Sequence, residues 1–316
     1  MRTKADNTIA ASRPARAPAL NPSPRVEVVI PVRNQERALP EAVRQVHACL
    51  AATHALPFRV TIADIASSDG TATVARFLAR ELPNLRYLHI AAPGRGRALR
   101  GAWGSSDAEV VACVDVDRPT DIVQLPALLG PLLAGRADLV VGSRLAPGAQ
   151  LTGGFRRQAI SRSYNALLGC ALAAAFSDPQ CGFKAARRAI IGELLPLIED
   201  EGSFFDIELL YLAQRNSFSI REVPVDWVDD RDARAPITRT AIEDLRGIAR
   251  LLRRTRDGRD LINTLDRGVP GRQRASVVRT RAAIHDRARR SPARPARTDG
   301  CRASRPDTQP ATPVLP

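Results

Sequence analysis

The sequence predicts an α/β fold in which a mostly parallel sheet is flanked by helices. Short apolar runs alternate with helix-like segments over about 120 residues, the pattern of a parallel sheet that is covered on both faces. The runs are continuously apolar, as in residues 110–114, and the intervening segments carry apolar residues at helical spacing, as at Leu39, Val43, Val46 and Leu50. A chain of 316 residues has room for one large domain of this class.

The elements follow one another in a regular order up to residue 143. Strands are predicted over residues 25–31, 60–64, 86–90, 109–115 and 139–143, the first of them halted by Pro31. Helices are predicted over residues 39–52, 71–82, 96–103 and 125–133. Beyond residue 143 we expect a long helix over 157–176, a loop over 177–184, helices near 188–199 and 206–214, a strand over 219–225 and a helix over 238–255. No linker separates this second half, so we interpret it as a helical elaboration of the same domain.

The positive charge of the chain is concentrated at its two ends. From residue 267 onward there are twelve Arg against three Asp, and residues 1–24 carry four basic residues against one Asp. Of the formal net charge of +14, only about +2 remains for residues 25–266. We therefore predict a folded domain over 25–256 between disordered basic segments, 1–24 and 257–316. A nearly neutral domain makes nucleic acid an unlikely partner.

Cysteine usage and hydropathy indicate a cytoplasmic protein. The five Cys have neither CxxC spacing nor neighbouring His, which argues against a metal cluster or a disulfide framework. The longest apolar run, residues 166–176, is much shorter than the roughly 20 residues of a spanning helix. No apolar signal-peptide core is found near Met1.

Two carboxylates follow the buried run at 110–114. Asp115 and Asp117 are two residues apart where a strand ends, and both can reach one hard cation such as Mg²⁺ or Mn²⁺. Ligands of open α/β sheets bind at the carboxyl ends of the strands. An isolated Asp-x-Asp pair often only caps a helix, so the neighbouring strand ends matter. Asp64 ends the second strand, where it can accept hydrogen bonds from a base or ribose.

The third helix begins with a glycine-rich segment, Gly94-Arg95-Gly96-Arg97. Such a start offers backbone amides and positive charge to a diphosphate, although the glycines could instead only relax a tight connection.

These segments together resemble the family-2 glycosyltransferases, in particular the polyprenyl-phosphate (dolichol-phosphate) mannosyl- and glucosyltransferase group. The resemblance covers residues 25–252 and is carried by VVIPVRNQE, IADIASSDGT, GRGRALR, the DVD at 115–117, ADLVVGSR, SRSYNALLG, DPQCGFKA, FFDIELL and EVPVDWVDD. It implies a GT-A fold, a nucleotide-sugar donor of the GDP-mannose or UDP-glucose type, a divalent cation and a polyprenyl-phosphate acceptor at the cytoplasmic face of the membrane.

The resemblance also implies roles for individual residues. The implied catalytic residues are Asp115, Asp117, Arg144, Arg162 and Lys184, with Asp115 and Asp117 as the metal ligands. The implied nucleotide-sugar-binding residues are Pro31, Asn34, Glu36, Asp64, Gly94, Arg97 and Asp115. The implied acceptor-binding residues are Arg162, Lys184, Asp206 and Arg234.

Lys184 also stands out by composition. The chain has 47 Lys plus Arg, of which only Lys4 and Lys184 are Lys. A lysine presents a compact point charge where arginine presents a planar fork, so we expect Lys184 to serve the phosphates rather than the fold. Asp206 has an alternative interpretation, because a carboxylate in the first turn of a helix stabilises the helix dipole.

Several positions depart from the family pattern, namely Arg33, Gln35, Ile65 and Arg118. They leave open a degenerate, non-catalytic nucleotide-sugar-binding homologue. A second alternative is a transferase that acts on a soluble or hydroxyl acceptor. That reaction needs a general base, for which Asp178 is the candidate.

The segment 237–256 is a basic amphipathic helix. Its apolar stripe is formed by Ile237, Ala241, Leu245, Ile248, Ala249 and Leu252, with most of the Arg outside it. Such a helix can lie on an anionic membrane surface, although a helix packed on the core would show the same stripe.

Overall fold

The computed structural model describes residues 23–53, 56–116, 122–149, 151–152, 165–228 and 237–262, without the side chains of 151–152, 227–228 and 237–242. The strands are β1 (Val26–Val32), β2 (Phe58–Ile65), β3 (Leu85–Ile90), β4 (Val110–Cys113), β5 (Leu139–Ser143), β6 (Leu151–Thr152), β7 (Lys184–Arg187), β8 (Ile220–Pro224) and β9 (Trp227–Val228). The helices are α1 (Leu39–Ala52), α2 (Thr71–Glu81), α3 (Arg95–Gly104), α4 (Leu125–Leu133), α5 (165–172), α6 (Arg188–Leu194), α7 (Phe205–Arg215) and α8 (Ile237–Arg256). Short 3₁₀ turns precede α4 and follow α6.

Seven strands form one mostly parallel sheet in the order β3-β2-β1-β4-β7-β5-β8, and β6 pairs with β9. All neighbours in the large sheet are parallel except β7, which runs antiparallel to both β4 and β5. The chain moves outward from β1 to β3 and then returns to place β4 on the other side of β1. This reversal creates a switch point between β1 and β4, where the strand ends leave a crevice.

The core is built on the central strands, because a parallel sheet with helices on both faces buries both sides of each strand. Val28, Ile30 and Val111 are fully buried, and Leu39 and Val43 of α1 pack into the same cluster. A second, smaller apolar cluster joins α5, α7 and α8 through Leu168, Leu172, Phe204, Ile207, Tyr211, Ile248 and Leu251. Among the described helices, none is long and apolar enough to cross a bilayer.

The predicted bounds of α1, α4 and β5 are confirmed, whereas Pro31 does not halt the first strand. β1 continues to Val32. Pairing with β4 ends opposite Val29, while pairing with β2 continues to Val32. Residues two apart in a strand direct their N–H groups to the same neighbouring strand, so Val29 and Pro31 both face β4. β4 has already ended at Pro31, and the missing N–H therefore costs no sheet hydrogen bond.

β7 is not predicted by the sequence, and its first residue, Lys184, lies in the predicted loop over 177–184. The segment Lys-Ala-Ala-Arg has none of the β-branched or aromatic residues that favour strands. It becomes a strand because it fills the gap between β4 and β5 and pairs with both.

Two predicted bounds are also wrong. The helix expected over 157–176 ends at residue 172, because Ala173 adopts the left-handed conformation with φ 47°, which interrupts the apolar run. The folded part does not stop at residue 256, since Asp260 is fully buried and pairs with Arg215 at 2.6 Å. The remainder of the two predicted disordered segments, residues 1–22 and 263–316, lies outside the described residues.

Candidate functional site

Asp115 lies at the switch point, two residues after the end of β4. Its side chain is 15% exposed, and its Oδ1 is 3.0 Å from Nη2 of Arg95 at the start of α3. The neighbouring Cys113 thiol is buried, and burial raises its pKa well above the ordinary value, so the thiol is neutral. Asp115 is therefore a carboxylate held at the sheet edge by one guanidinium.

Arg95 extends this contact into a chain of alternating charges. Its Nε is 3.4 Å from Oδ2 of Asp206, whose Oδ1 is 2.8 Å from Nζ of Lys184. Lys184 reaches this position because β7 places it opposite Cys113 of β4, and its ammonium also donates to the Pro179 carbonyl at 3.0 Å. The structure thus brings the predicted residues Asp115, Lys184 and Asp206 together and adds Arg95 as the link.

The same contacts add a structural role to those expected of Lys184 and Asp206. Both side chains are nearly fully buried, so Lys184 supports the fold as well as any ligand that it binds. Asp206 lies in the first turn of α7 but forms two ion pairs, so stabilising the helix dipole is not its only part. The free-energy cost of removing these two charges from water is offset because each charge has a close partner.

The glycine of the segment Asp-Pro-Gln-Cys-Gly-Phe-Lys, Gly182, lies where a side chain would not fit. A Cβ at this position would overlap the Asp115 carboxylate, with which Gly182 is in direct contact. The backbone before β7 therefore closes one side of the Asp115 carboxylate while Arg95 holds another. The side chain has little freedom to turn away from this edge.

Arg144 follows β5 and is fixed by Asp178. Its Nε and Nη2 lie 2.6 and 2.7 Å from the two carboxylate oxygens, and its backbone N–H donates to the same side chain at 3.0 Å. Burial opposes the charge on Arg144, but the hydrogen bond and charge of Asp178, with the charge of Asp115, outweigh it and raise the pKa of Arg144. Asp178 is 1% exposed and accepts three hydrogen bonds from Arg144, so both of its carboxylate oxygens are engaged.

Asp64 lies at the second strand end and is fully buried. It accepts hydrogen bonds from the Ser67 amide at 3.1 Å and from the Tyr87 hydroxyl at 2.9 Å. Burial would raise the pKa of Asp64, but the hydrogen bonds from Ser67 and Tyr87 outweigh burial and lower it, so the side chain stays ionised. Asp64 thus presents a preformed negative group beside the loop that follows β2.

Asn34 and Glu36 join the loops after β1 and β2. Asn34 has φ 55°, and its side-chain oxygen accepts a hydrogen bond from the Ser68 backbone N–H at 2.8 Å. The backbone N–H of Asn34 donates to the Ser67 hydroxyl. Glu36 accepts the Gly70 amide at 2.8 Å. These side chains therefore shape the two loops, and their predicted contacts with a nucleotide, like that of Pro31, stay predictions.

Gly94 and Arg97 make contacts within the fold, and their expected contacts with a nucleotide stay predictions. The amides of Gly96 and Arg97, which were expected to face a diphosphate, donate to the Gly202 and Glu201 carbonyls at 3.1 and 3.0 Å. The Arg97 side chain also pairs with Glu201. Gly94 has φ 140°, and a Cβ there would collide with the Glu201 carbonyl. This glycine-rich start of α3 packs closely against the segment before α7.

Glu208 lies in the matched segment Phe-Phe-Asp-Ile-Glu, and its contacts are not predicted by the sequence. It is fully buried, accepts the Glu199 and Asp200 amides, and pairs with Arg250 at 3.2 Å and Arg254 at 2.9 Å. The only local signal was a second acid two residues after Asp206. The partners on α8 are more than 40 residues away in the sequence.

One face of α8 is buried against the rest of the domain and another is exposed. Ile248 and Leu251 are buried in the second apolar cluster, and Arg254, expected on the polar side, is buried against Glu208. Leu245 and Leu252 of the predicted stripe are instead 57% and 37% exposed. Packing on the core accounts for only part of the apolar stripe.

Three predicted site residues, Asp117, Arg162 and Arg234, lie outside the described residues. Within the described ranges, no group of three or more His, Cys, Asp or Glu side chains could hold a metal ion. Asp115 supplies one hard carboxylate at the strand end. Mg²⁺ is commonly bound by one or two carboxylates together with substrate phosphates rather than by a cage of protein ligands. The edge thus fits a cation that is shared with a diphosphate.

Comparison with known proteins agrees with this architecture. Residues 27–195 match the family described as Glycosyl transferase family 2. Glycosyltransferase AglD of Haloferax volcanii is 33% identical over 245 residues, which are 77% of this chain and 38% of AglD. Polyprenol monophosphomannose synthase of Mycolicibacterium smegmatis is 31% identical over 218 residues, 66% of this chain and 80% of that relative.

A solved structure shares the fold. It is the crystal structure of glucosyl-3-phosphoglycerate synthase from Mycobacterium tuberculosis in complex with Mn²⁺ and UDP-glucose. The TM-score is 0.55 at 21% identity, over 73% of this chain and 79% of that one. The likeness confirms the predicted GT-A fold. This chain belongs to glycosyl transferase family 2 and is a glycosyltransferase.

Proposed function

We propose that this enzyme transfers a hexose from a nucleotide sugar to a polyprenyl phosphate, with inversion at the anomeric carbon, at the cytoplasmic surface of a membrane. The observation that carries the proposal is the grouping of Asp115, Arg95, Asp206 and Lys184 at the switch point, with Arg144 close by. Cations beside a strand-end carboxylate suit a reaction in which both the leaving group and the attacking group are phosphates. The name of the relative from Mycolicibacterium smegmatis supports a polyprenyl acceptor and a mannosyl donor.

In this proposal, Asp64 contacts the nucleoside and Asp115 and Asp117 hold a Mg²⁺ or Mn²⁺ ion. The chemistry that the cation supplies when bound is neutralisation of the departing nucleoside diphosphate. Asn34 and Glu36 keep the two loops around the nucleoside in place. The fixed positions of these groups reduce the reorganisation that the reaction requires.

The acceptor phosphate is already an anion near neutral pH and can attack without a general base. Catalysis then depends on positioning and charge stabilisation. We assign the acceptor phosphate to Lys184 and Arg144, with Arg162 and Arg234 as predicted additional contacts and Asp206 as the group that orients Lys184. Asp178, which is engaged by Arg144, gives no support to the alternative reaction that needs a base.

Transfer assays test this proposal directly. Radiolabelled GDP-mannose, UDP-glucose and related donors should be incubated with polyprenyl phosphate, with a free sugar, and with no acceptor, each with Mn²⁺ or with chelator. We expect lipid-linked product from one donor class, only with the cation, and none with the free sugar. Transfer to the free sugar, or transfer that persists in chelator, would contradict the proposal. Failure of every donor with a correctly folded protein would favour the non-catalytic alternative.

Membrane contact is a separate part of the proposal and rests on the exposed side of α8. Leu245 and Leu252 lie there beside the exposed Arg246, Arg253 and Arg256. Apolar side chains can enter the headgroup region while each nearby basic residue adds about 1 kcal/mol on an anionic surface. A basic segment from residue 267 onward would add to this attraction.

Vesicle co-sedimentation measures this contact. Binding should be stronger to anionic than to neutral vesicles, weaken in high salt and fall on deletion of residues 267–316. Leu245→Gln with Leu252→Gln should weaken it further. Phe77→Gln is the matched control, because Phe77 is 62% exposed but lies on α2. Equal binding to neutral and anionic vesicles would remove the electrostatic part of the proposal.

A further inference from the structure

Arg95 already places a positive charge next to the Asp115 carboxylate. Its Nη2 lies 3.0 Å from Asp115 Oδ1, which is an ion-pair distance within reach of a hydrogen bond. The Arg95 side chain is only 20% exposed and also touches the Cys113 thiol at 3.4 Å. A cation that binds Asp115 therefore meets a positive charge that is already there.

This contact is built into the fold. The start of α3 is fixed because the Gly96 and Arg97 amides donate to carbonyls of the segment before α7, and Gly96 packs directly against Phe205. The Nε of the same guanidinium lies 3.4 Å from Oδ2 of Asp206. The Asp115 carboxylate also lies against the backbone of Gly182, where a Cβ would overlap its Oδ2. Neither partner can leave the pair without moving its surroundings.

Among the four described side chains that these ion pairs join, positive and negative charges are equal in number. Arg95 and Lys184 carry two positive charges against the carboxylates of Asp115 and Asp206. A divalent cation on its own would add positive charge beside Arg95, whereas a nucleoside diphosphate brings the negative charge that offsets it. The balance favours joint binding over binding of the cation alone.

We propose that Arg95 is the resident counter-cation of Asp115, which suppresses binding of the divalent cation until the diphosphate of the donor is present. The inference rests on the proposed metal-dependent donor site and concerns its regulation. Coupling between two ligands is reciprocal, so the cation must strengthen nucleotide binding by the same factor as the nucleotide strengthens cation binding. Arg95 is a positioning residue in this scheme, since it sets when Asp115 is available.

Electron paramagnetic resonance of free Mn²⁺ gives the test, with Mn²⁺ alone and with UDP or GDP added. Asp115→Asn provides the background from other weak sites. In the wild-type protein the Kd for Mn²⁺ should fall at least about tenfold when the nucleotide is added, equivalent to about 1.4 kcal/mol. Arg95→Met should tighten the binding of Mn²⁺ alone by a similar factor and reduce the effect of the nucleotide. Arg95→Lys, which keeps the charge, should retain weak binding of Mn²⁺ alone.

Arg44→Met is the matched control. Arg44 lies on α1 and also pairs with a carboxylate, that of Glu81 at 2.9 Å, but belongs to no part of the proposed site, so the affinity for Mn²⁺ should not change. Unchanged or weaker binding of Mn²⁺ to a folded Arg95→Met protein would overturn the inference. If that variant does not fold, tight binding of Mn²⁺ alone to the wild-type protein would overturn it equally.

The outcomes separate this inference from the proposed function. If Asp115→Asn leaves Mn²⁺ binding in the presence of nucleotide intact, the proposed donor site is wrong. If Asp115→Asn abolishes that binding while Arg95→Met changes nothing, the donor site stands and only the role of Arg95 is wrong.

Discussion

The two sides of the switch point hold their polar side chains in different ways. On the β1–β2 side, Asn34 and Glu36 are exposed and hydrogen-bond to backbone amides of the adjacent loop. On the side of β7, α7 and α8, charged side chains are buried and bind one another, as in Lys184 with Asp206 and Arg254 with Glu208. A polar residue on the first side can be replaced at a local cost. On the second side the charges that are proposed to handle phosphates also stabilise the fold.

The largest effect that this comparison predicts is on stability at Lys184. Lys184→Ala removes one partner of a buried ion pair and should lower the free energy of unfolding by about 3–5 kcal/mol, in addition to reducing transfer. Chemical denaturation of the wild-type and variant proteins measures this change. The expectation from sequence alone, that Lys184 serves only the phosphates, predicts instead a stability close to that of the wild-type protein.

A double variant provides the control for Lys184. Lys184→Met combined with Asp206→Leu removes both charges and should recover most of the stability lost in Lys184→Ala, without recovering transfer. Recovery of activity together with stability would show that Lys184 acts only through the fold.

The smallest effect is expected on the β1–β2 side. Asn34→Ala breaks a hydrogen bond at an exposed loop and should cost about 1 kcal/mol of stability, while weakening nucleotide binding through the displaced loop. Thermal unfolding and nucleotide titration measure the two effects. Gln45→Ala is the control, since Gln45 is exposed and bonds only within α1 to Glu41. A loss at Asn34 as large as that at Lys184 would remove the contrast between the two sides.

Local patterns in the sequence were sufficient for most of the first half of the fold. The apolar spacing of α1 and the short apolar run of β5 predict the limits of both elements, and Asp115 could be placed at a strand end from the buried run before it. Pro31 could not be interpreted from its type alone, because its tolerance depends on where the pairing of β4 ends.

The second half depends on contacts between residues far apart in the chain. β7 is a strand only because β4 and β5 flank it, and Glu208 is a centre of ion pairs only because α8 returns to it. The sequence left two interpretations of the glycine-rich start of α3 open, because the carbonyls that accept its amides belong to Glu201 and Gly202, about a hundred residues later. A sequence pattern cannot show which partner will use such amides.

Titration calorimetry of UDP and GDP, with Mn²⁺ or with chelator, tests the central claim most directly when the wild-type protein is compared with Asp115→Asn. The carboxylate at the switch point is proposed to hold the cation that binds the donor diphosphate. One nucleotide should therefore bind the wild-type protein at least about tenfold more tightly with Mn²⁺, and Asp115→Asn should abolish this difference while remaining folded. Equal affinity in chelator, or an unchanged Mn²⁺ effect in Asp115→Asn, would contradict the proposed site.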